Sequence, residues 1–98
     1  MANVIIHCYY TGPEDAVCGF IEEMLDSGLR QEVLDEDGCL QYDYFFSAED
    51  KTVGVLLERW RDDTALSKHA NGTPMAKLKE IKARYDIETR VERYVLKE

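Results

Sequence analysis

The order of strand-like and helix-like segments is the feature that most restricts how this chain can fold. Runs of β-branched and aromatic residues predict four strands, at 3–10, 39–46, 52–60 and 87–96. A segment after Pro13, in which Val17, Phe20 and Met24 recur at helical spacing, separates the first two strands. Further helical residues separate the last two. This β-α-β-β-α-β order predicts a ferredoxin-like α+β fold with a four-stranded antiparallel sheet.

The region between the third and fourth strands predicts two consecutive helices. Asp62 or Asp63 is placed to cap a short helix that ends near His69, before an Asn-Gly pair. Thr73 is then expected to cap a second helix with Pro74 in its first turn. One face of that helix is expected to carry Met75, Leu78, Ile81 and Tyr85. In the first helical segment, Gly28 either ends the helix or is followed by further helix over 29–34.

Length and charge restrict the domain organisation and the partners. The 98 residues suffice for one domain, 1–98. A net charge of −8 argues against binding nucleic acid through phosphate contacts and against adsorption to an anionic membrane. No long apolar run or signal sequence is present, which predicts a soluble cytoplasmic protein. The three cysteines include no C-x-x-C pair, so we expect reduced thiols and neither a disulfide framework nor a zinc site.

The two inner strands look apolar on both faces. In the third strand Leu56 and Trp60 point to one face, while Val55 and Leu57 point to the other. Helices on a single side of the sheet cover only one of these faces, and a half-solvated sheet should alternate cleanly between apolar and polar residues. An exposed apolar face usually binds a partner. We therefore expect a homodimer formed through the sheets.

The aromatic and histidine side chains are the candidates for chemistry. Tyr42 and Tyr44 of the second strand, with Trp60 and Tyr85, either line a pocket for a flat ring or pack in the core. His69 is either a helix end exposed to water, where the imidazolium form is favoured, or a buried neutral base. His7 lies in a strand and reads as a core or interface residue; strand parity leaves open which face it occupies.

Three stretches of the sequence resemble the antibiotic biosynthesis monooxygenase domain family: DEDGCLQYDYFFSAED, VLLERWRDDTALSKH and the closing VERY. The most specific motifs are Gly-Cys-Leu at 38–40, Glu-x-Trp-x-Asp at 58–62 and Ala-Leu-x-x-His at 65–69. The resemblance covers nearly the whole chain and implies a dimeric α/β barrel with a pocket between sheet and helices. Members of the family oxidise quinols and polyketide phenols without metal or flavin, degrade haem, or isomerise a small phosphorylated sugar.

The resemblance implies a cofactor-independent monooxygenase that oxidises a small aromatic or quinol substrate with dioxygen. It assigns proton transfer to His69, with Trp60 and Tyr44 as stacking or hydrogen-bonding walls. No metal or flavin is expected. The residues predicted to bind substrate are Tyr42, Met75, Tyr85, His7 and Arg59.

Two other functions remain open at this point. An isomerase of a small phosphorylated sugar would need a cationic clamp, for which Arg59, Arg61, Lys68 or the helix N-terminus at Thr73 are available. A small-ligand binding or stress-response domain without turnover would need the aromatic residues only for packing. Haem degradation fits poorly, because the short helix carries His69 where those members have tryptophan, and the later helix has no histidine.

Overall fold

The computed structural model describes residues 2–97 and shows a four-stranded antiparallel sheet with helices packed on one face. The elements in chain order are β1 (Val4–Thr11), α1 (Glu14–Asp26), α2 (Leu29–Leu34), β2 (Cys39–Phe46), β3 (Val53–Trp60), α3 (Asp63–Ala70), α4 (Thr73–Lys82) and β4 (Glu88–Val95). Each predicted strand is present, and each helical region consists of two helices. The ferredoxin-like α+β prediction is confirmed.

The strands lie in the order β2-β3-β1-β4, and every neighbouring pair is antiparallel. In the centre of the sheet, Cys8 of β1 pairs with Leu56 of β3 on one side and with Val91 of β4 on the other. Strands β2 and β4 form two free edges. The sheet of the single chain is therefore open and does not close into a barrel by itself.

The core lies between the sheet and the helices because the strands alternate with a period of two. Val4, Ile6, Cys8 and Tyr10 of β1 are buried on the helix-facing side. Helix α1 buries an apolar stripe against them, and it approaches β3 closely at Gly54. A Cβ atom at Gly54 would lie 2.6 Å from Cδ1 of Ile21. Residue 54 therefore has to be small for α1 to pack on the sheet.

The helix ends settle several of the sequence predictions. Gly28 adopts a left-handed φ of 79° and separates α1 from α2. Asp62 caps α3 by accepting a hydrogen bond of 2.9 Å from the backbone N–H of Ala65. The predicted cap of α4 is wrong by one position, since Gly72 is the N-cap and Thr73 the first helical residue. Helix α4 also ends at Lys82, so Tyr85 lies beyond it.

The face of the sheet opposite the helices carries apolar side chains, as the two-faced strands predict. Residues paired directly across antiparallel strands share a face, so Ile5 of β1 lies beside Tyr94 of β4. Phe45 of β2 lies beside Val55 of β3 on the same surface and is 50% exposed. Within residues 2–97, no helix has the length and apolar character needed to cross a membrane.

Candidate functional site

The residues predicted to carry catalysis come together between the sheet and α3. The imidazole of His69 stacks on the indole of Trp60, with ring centroids 4.5 Å apart and an interplanar angle of 29°. The ring of Tyr42 contacts that of His69 edge to face, with centroids 6.1 Å apart. The rings of Tyr44 and Tyr42 have the same arrangement, with centroids 5.8 Å apart. Both tyrosines point to the helix-facing side because they are two residues apart in β2. These four side chains form the centre of the candidate site.

His69 is buried, with 2% of its surface exposed. The alternative of an exposed helix end is therefore wrong. The reason is helical geometry: His69 follows Ala65 by one turn of α3, so both residues face the sheet. Because Asp62 starts α3 two residues after β3 ends, the helix has to fold back over the end of that strand, where Trp60 lies.

The turn between α2 and β2 contributes a carboxylate that the sequence analysis did not predict. Oε2 of Glu36 lies 2.7 Å from Nδ1 of His69. An ionised carboxylate only accepts hydrogen bonds, so we assign the proton to Nδ1. This assignment leaves Nε2 of His69 as the atom that faces the site with no hydrogen-bond partner.

Gly38 is what allows the turn to lie against α3. It has a left-handed φ of 86°, and a Cβ atom there would lie 2.4 Å from Cβ of Ala65. The backbone N–H of Arg61 donates to the carbonyl of Gly38 at 2.8 Å, and its guanidinium pairs with Asp37 at 3.1 Å. The glycine of the Gly-Cys-Leu motif thus brings Glu36 to His69.

A second carboxylate, that of Glu58, is buried in the site and was also missed. It is 5% exposed, and its Oε1 accepts a hydrogen bond of 2.9 Å from Nε1 of Trp60. The thiol of Cys8 donates to Oε2 at 3.5 Å. Burial raises the pKa of Glu58, and the indole hydrogen bond and the nearby His69 offset part of this effect. Its sequence signal is an acidic residue on the apolar face of β3, between Leu56 and Trp60.

Three buried polar atoms in the site have no hydrogen-bond partner: the hydroxyls of Tyr42 and Tyr44 and Nε2 of His69. Leaving such groups unpaired in a protein interior costs about 1–3 kcal/mol each. Burial raises the pKa of both tyrosines above the ordinary value, so their hydroxyls stay protonated at neutral pH. The site therefore offers two neutral hydroxyls and one imidazole nitrogen to a polar ligand.

The remaining predicted site residues lie elsewhere. Met75 packs on the edge of the core. The hydroxyl of Tyr85 donates to Glu23 at 2.6 Å, beside α1. His7 and Arg59 lie on the open face of the sheet, where the ring of His7 is 5.2 Å from that of Tyr94. The structure does not bring Tyr85, His7 or Arg59 to the cluster around His69.

Two surface cavities lie outside this cluster. One, of about 520 Å³, follows the outer side of α3 and is lined by Asp63, Thr64, Ser67, Lys68 and Asn71. The other, of about 310 Å³, lies at the opposite end of the sheet beside Cys18 and Phe46. Neither contains His69, Trp60 or Tyr44, so the unpartnered polar atoms define the candidate site. Among residues 2–97 no group of three His, Cys, Asp or Glu side chains is arranged to hold a metal ion.

Comparison with known proteins agrees with the motifs. The family model of the antibiotic biosynthesis monooxygenases matches residues 3–80. The chain belongs to this family. Family membership supports a general monooxygenase-like function. The matched residues include every side chain of the cluster around His69. A search of curated protein sequences finds no match.

Several solved structures share the fold of this family member. A conserved protein from Bacteroides thetaiotaomicron, described as a possible oxidoreductase, has a TM-score of 0.85 and 22% identity over 97% of this chain and 98% of its own. A candidate antibiotic biosynthesis monooxygenase from Caulobacter crescentus has a TM-score of 0.86 and 19% identity over 99% and 92%. A third, from Deinococcus radiodurans, has a TM-score of 0.84 and 17% identity over 97% and 93%. At these identities the likeness establishes the fold alone.

Proposed function

We propose that this family member is a cofactor-independent monooxygenase that oxidises a small phenol or hydroquinone with dioxygen. The observation that carries the proposal is the buried His69, whose Nδ1 is held by Glu36 and whose Nε2 has no partner. An imidazole in this state can act as a general base, because Nε2 carries no proton and has no hydrogen-bond partner. The neighbouring hydroxyls of Tyr42 and Tyr44 suit the oxygens of such a substrate.

The first step is removal of a proton from the substrate hydroxyl by Nε2 of His69. The imidazolium that forms is stabilised by the carboxylate of Glu36, 2.7 Å from Nδ1. The phenol hydroxyls of Tyr42 and Tyr44 donate to the oxygens of the substrate anion. The indole of Trp60 supports the imidazole from one side and keeps water from it.

The electron-rich anion then reacts with dioxygen without a redox cofactor. One electron passes from the anion to dioxygen, and the two radicals combine to form a carbon–oxygen bond and a peroxide anion on the ring. The hydrogen of the attacked carbon moves as a proton to the outer peroxide oxygen, and the O–O bond breaks. The carbon becomes a carbonyl, and the released hydroxide takes the proton held by His69 and leaves as water. For a hydroquinone, the sum is substrate plus dioxygen to hydroxyquinone plus water.

Oxygen uptake with reduced menadione tests this function directly. We expect the protein to consume oxygen faster than the spontaneous oxidation of the same solution. His69→Ala should lower kcat by about 100-fold or more, the usual contribution of a general base. Ser67→Ala is the matched control, since Ser67 is exposed on the same helix. Uptake by the His69→Ala protein equal to that of the unmodified protein would remove His69 from the mechanism.

The contacts of Arg59, Arg61 and the N-terminus of α4 do not favour a sugar-phosphate isomerase. Arg61 is paired with Asp37, and Arg59 lies on the open face, bonded to Asn3. A Cβ atom at Gly72, the N-cap of α4, would lie 3.4 Å from Oε1 of Glu36. A carboxylate this close to the helix N-terminus repels a phosphate. A binding domain without turnover would be recognised by binding of reduced menadione without oxygen uptake.

We also propose that the protein is a homodimer joined through the open faces of two sheets. The support is a group of apolar side chains on that face, which includes Ile5 of β1 and Val55 and Leu57 of β3, with Leu57 at its centre. Phe45 and Tyr94 on the same face are 50% and 47% exposed in the single chain. An apolar surface of this kind is typical of an interface between subunits. In the proposed dimer, the open faces of the two sheets pack against each other and are buried.

A further inference from the structure

One proton transfer of the proposed reaction lacks a carrier. The proton on the attacked carbon has to reach the outer peroxide oxygen, and the two atoms are separated only by the inner oxygen. Direct transfer would pass through a strained four-membered ring, so a nearby acid–base group is needed. Apart from His69, which already holds the first proton, the buried ionisable group that faces Nε2 of His69 is Glu58.

The side chains of Glu58 and His69 lie close enough to contact the same ligand atom. Its Oε1 lies 3.9 Å from Nε2 of His69, which is too long for a hydrogen bond. A single oxygen atom at about 2.8 Å from each of these two atoms would satisfy both. The separation therefore allows one oxygen of the substrate to bind Nε2 and to lie within hydrogen-bond distance of Glu58.

The surroundings of Glu58 leave few groups that carry charge. Burial raises the pKa of Cys8 to about 12 and that of Cys39 to about 11. It also raises the pKa of the nearby tyrosines above the ordinary value, so these thiols and phenols are neutral at neutral pH. The titratable groups near Glu58 are Cys8 and Tyr10 of β1, Cys39, Tyr42 and Tyr44 of β2, Glu36 of the α2–β2 turn and His69 of α3.

We propose that Glu58 is a second catalytic residue, which gives its proton to the outer peroxide oxygen and then takes up the proton of the attacked carbon as the O–O bond breaks. The inference rests on the proposed function. This role requires Glu58 to enter the cycle protonated and His69 to enter it with Nε2 free of a proton. Each ends as it began, because the hydroxide released at the end takes the proton that His69 removed from the substrate.

Glu58→Gln separates this role from a purely structural one. The amide oxygen of glutamine can still accept the hydrogen bond from Trp60, but the amide cannot exchange a proton. We expect kcat for reduced menadione to fall about 100-fold or more while KM stays within about threefold. The basic limb of the pH profile of kcat, which reports loss of the Glu58 proton, should disappear. Glu32→Gln is the control, since Glu32 is paired with Lys77 on the surface.

A kcat and a pH profile equal to those of the unmodified protein would overturn the proposal. Thermal unfolding shows whether the glutamine variant is folded. Should it be unfolded, Glu58→Asp provides the second test: the shorter acid should keep the basic limb but lose kcat, and an unchanged kcat would count against the proposal.

Anaerobic binding distinguishes failure of this proposal from failure of the proposed function. Trp60 is the only tryptophan of the chain and stacks on His69, so its fluorescence reports binding in the site. Reduced menadione should bind the unmodified and Glu58→Gln proteins with dissociation constants within about threefold of each other. Its dimethyl ether, which cannot donate a proton, should bind more weakly to both. If the unmodified protein neither binds the hydroquinone nor consumes oxygen, both proposals fail; if it does both and the variant matches its rate, only the role of Glu58 fails.

Discussion

Glu36 determines which nitrogen of His69 is left without a hydrogen-bond partner. Replacement by Gln preserves an acceptor for Nδ1 but removes the charge that stabilises the imidazolium. A charge-assisted hydrogen bond contributes about 1.5–3 kcal/mol, so we expect kcat/KM for reduced menadione to fall about 10- to 100-fold. Glu32→Gln, on the neighbouring helix α2, should leave the rate unchanged. A rate for Glu36→Gln equal to that of the control would show that Nδ1 needs only a neutral acceptor.

The ionisation of Glu58 should also affect stability. Because its pKa is raised in the folded protein, the protonated form favours folding below the unfolded-state pKa, and this contribution is lost as pH rises through the folded-state pKa. Each unit of such a shift corresponds to about 1.4 kcal/mol. The Glu58→Gln protein should therefore gain unfolding free energy relative to the unmodified protein as pH rises above the unfolded-state pKa of glutamate, about 4.3. Urea unfolding of both proteins measures this difference, and a difference independent of pH would contradict it.

Among the elements, the turn between α2 and β2 is the one that assembles the site. Gly38→Ala should destabilise the protein for two reasons: alanine is strained at the left-handed φ of residue 38, and its Cβ would clash with Cβ of Ala65. The matched control is Gly28→Ala, which has a similar φ but no atom within 4 Å of the added Cβ. We expect about 1 kcal/mol of lost unfolding free energy for the control and about 1–3 kcal/mol more for Gly38→Ala. Equal losses in urea unfolding would show that the turn adjusts without strain.

For the whole molecule, the open face of the sheet leads to a prediction about assembly. Leu57→Lys places a charge at the centre of the proposed interface, where an unpaired buried charge costs roughly 3–5 kcal/mol. We expect the dimer dissociation constant to rise more than about a hundredfold, measured by analytical ultracentrifugation. Leu25→Lys is the control, because Leu25 is a half-exposed leucine on α1, away from that face. Sedimentation of the unmodified protein as a monomer would contradict the proposed dimer.

The local patterns of the sequence were sufficient to predict the fold. A period of two in the strands and apolar spacing in the helices depend on neighbours a few residues apart, and they determine which side chains are buried. The cap at Asp62 could be predicted for the same reason. The motifs around Trp60 and His69 identified the family because their residues lie close together in the chain.

The pairing of the site's charges was decided by the tertiary structure alone. Glu36 and His69 are 33 residues apart, and Cys8 and Glu58 are 50 apart. No local pattern encodes these contacts, because they depend on how the turn before β2 packs against α3 and on how β1 pairs with β3. The same packing placed His7 and Arg59 on the open face, away from the site to which the sequence had assigned them. The sequence by itself determined the elements and the family, whereas the packing of helices on the sheet decided which nitrogen of His69 is free and which carboxylates surround it.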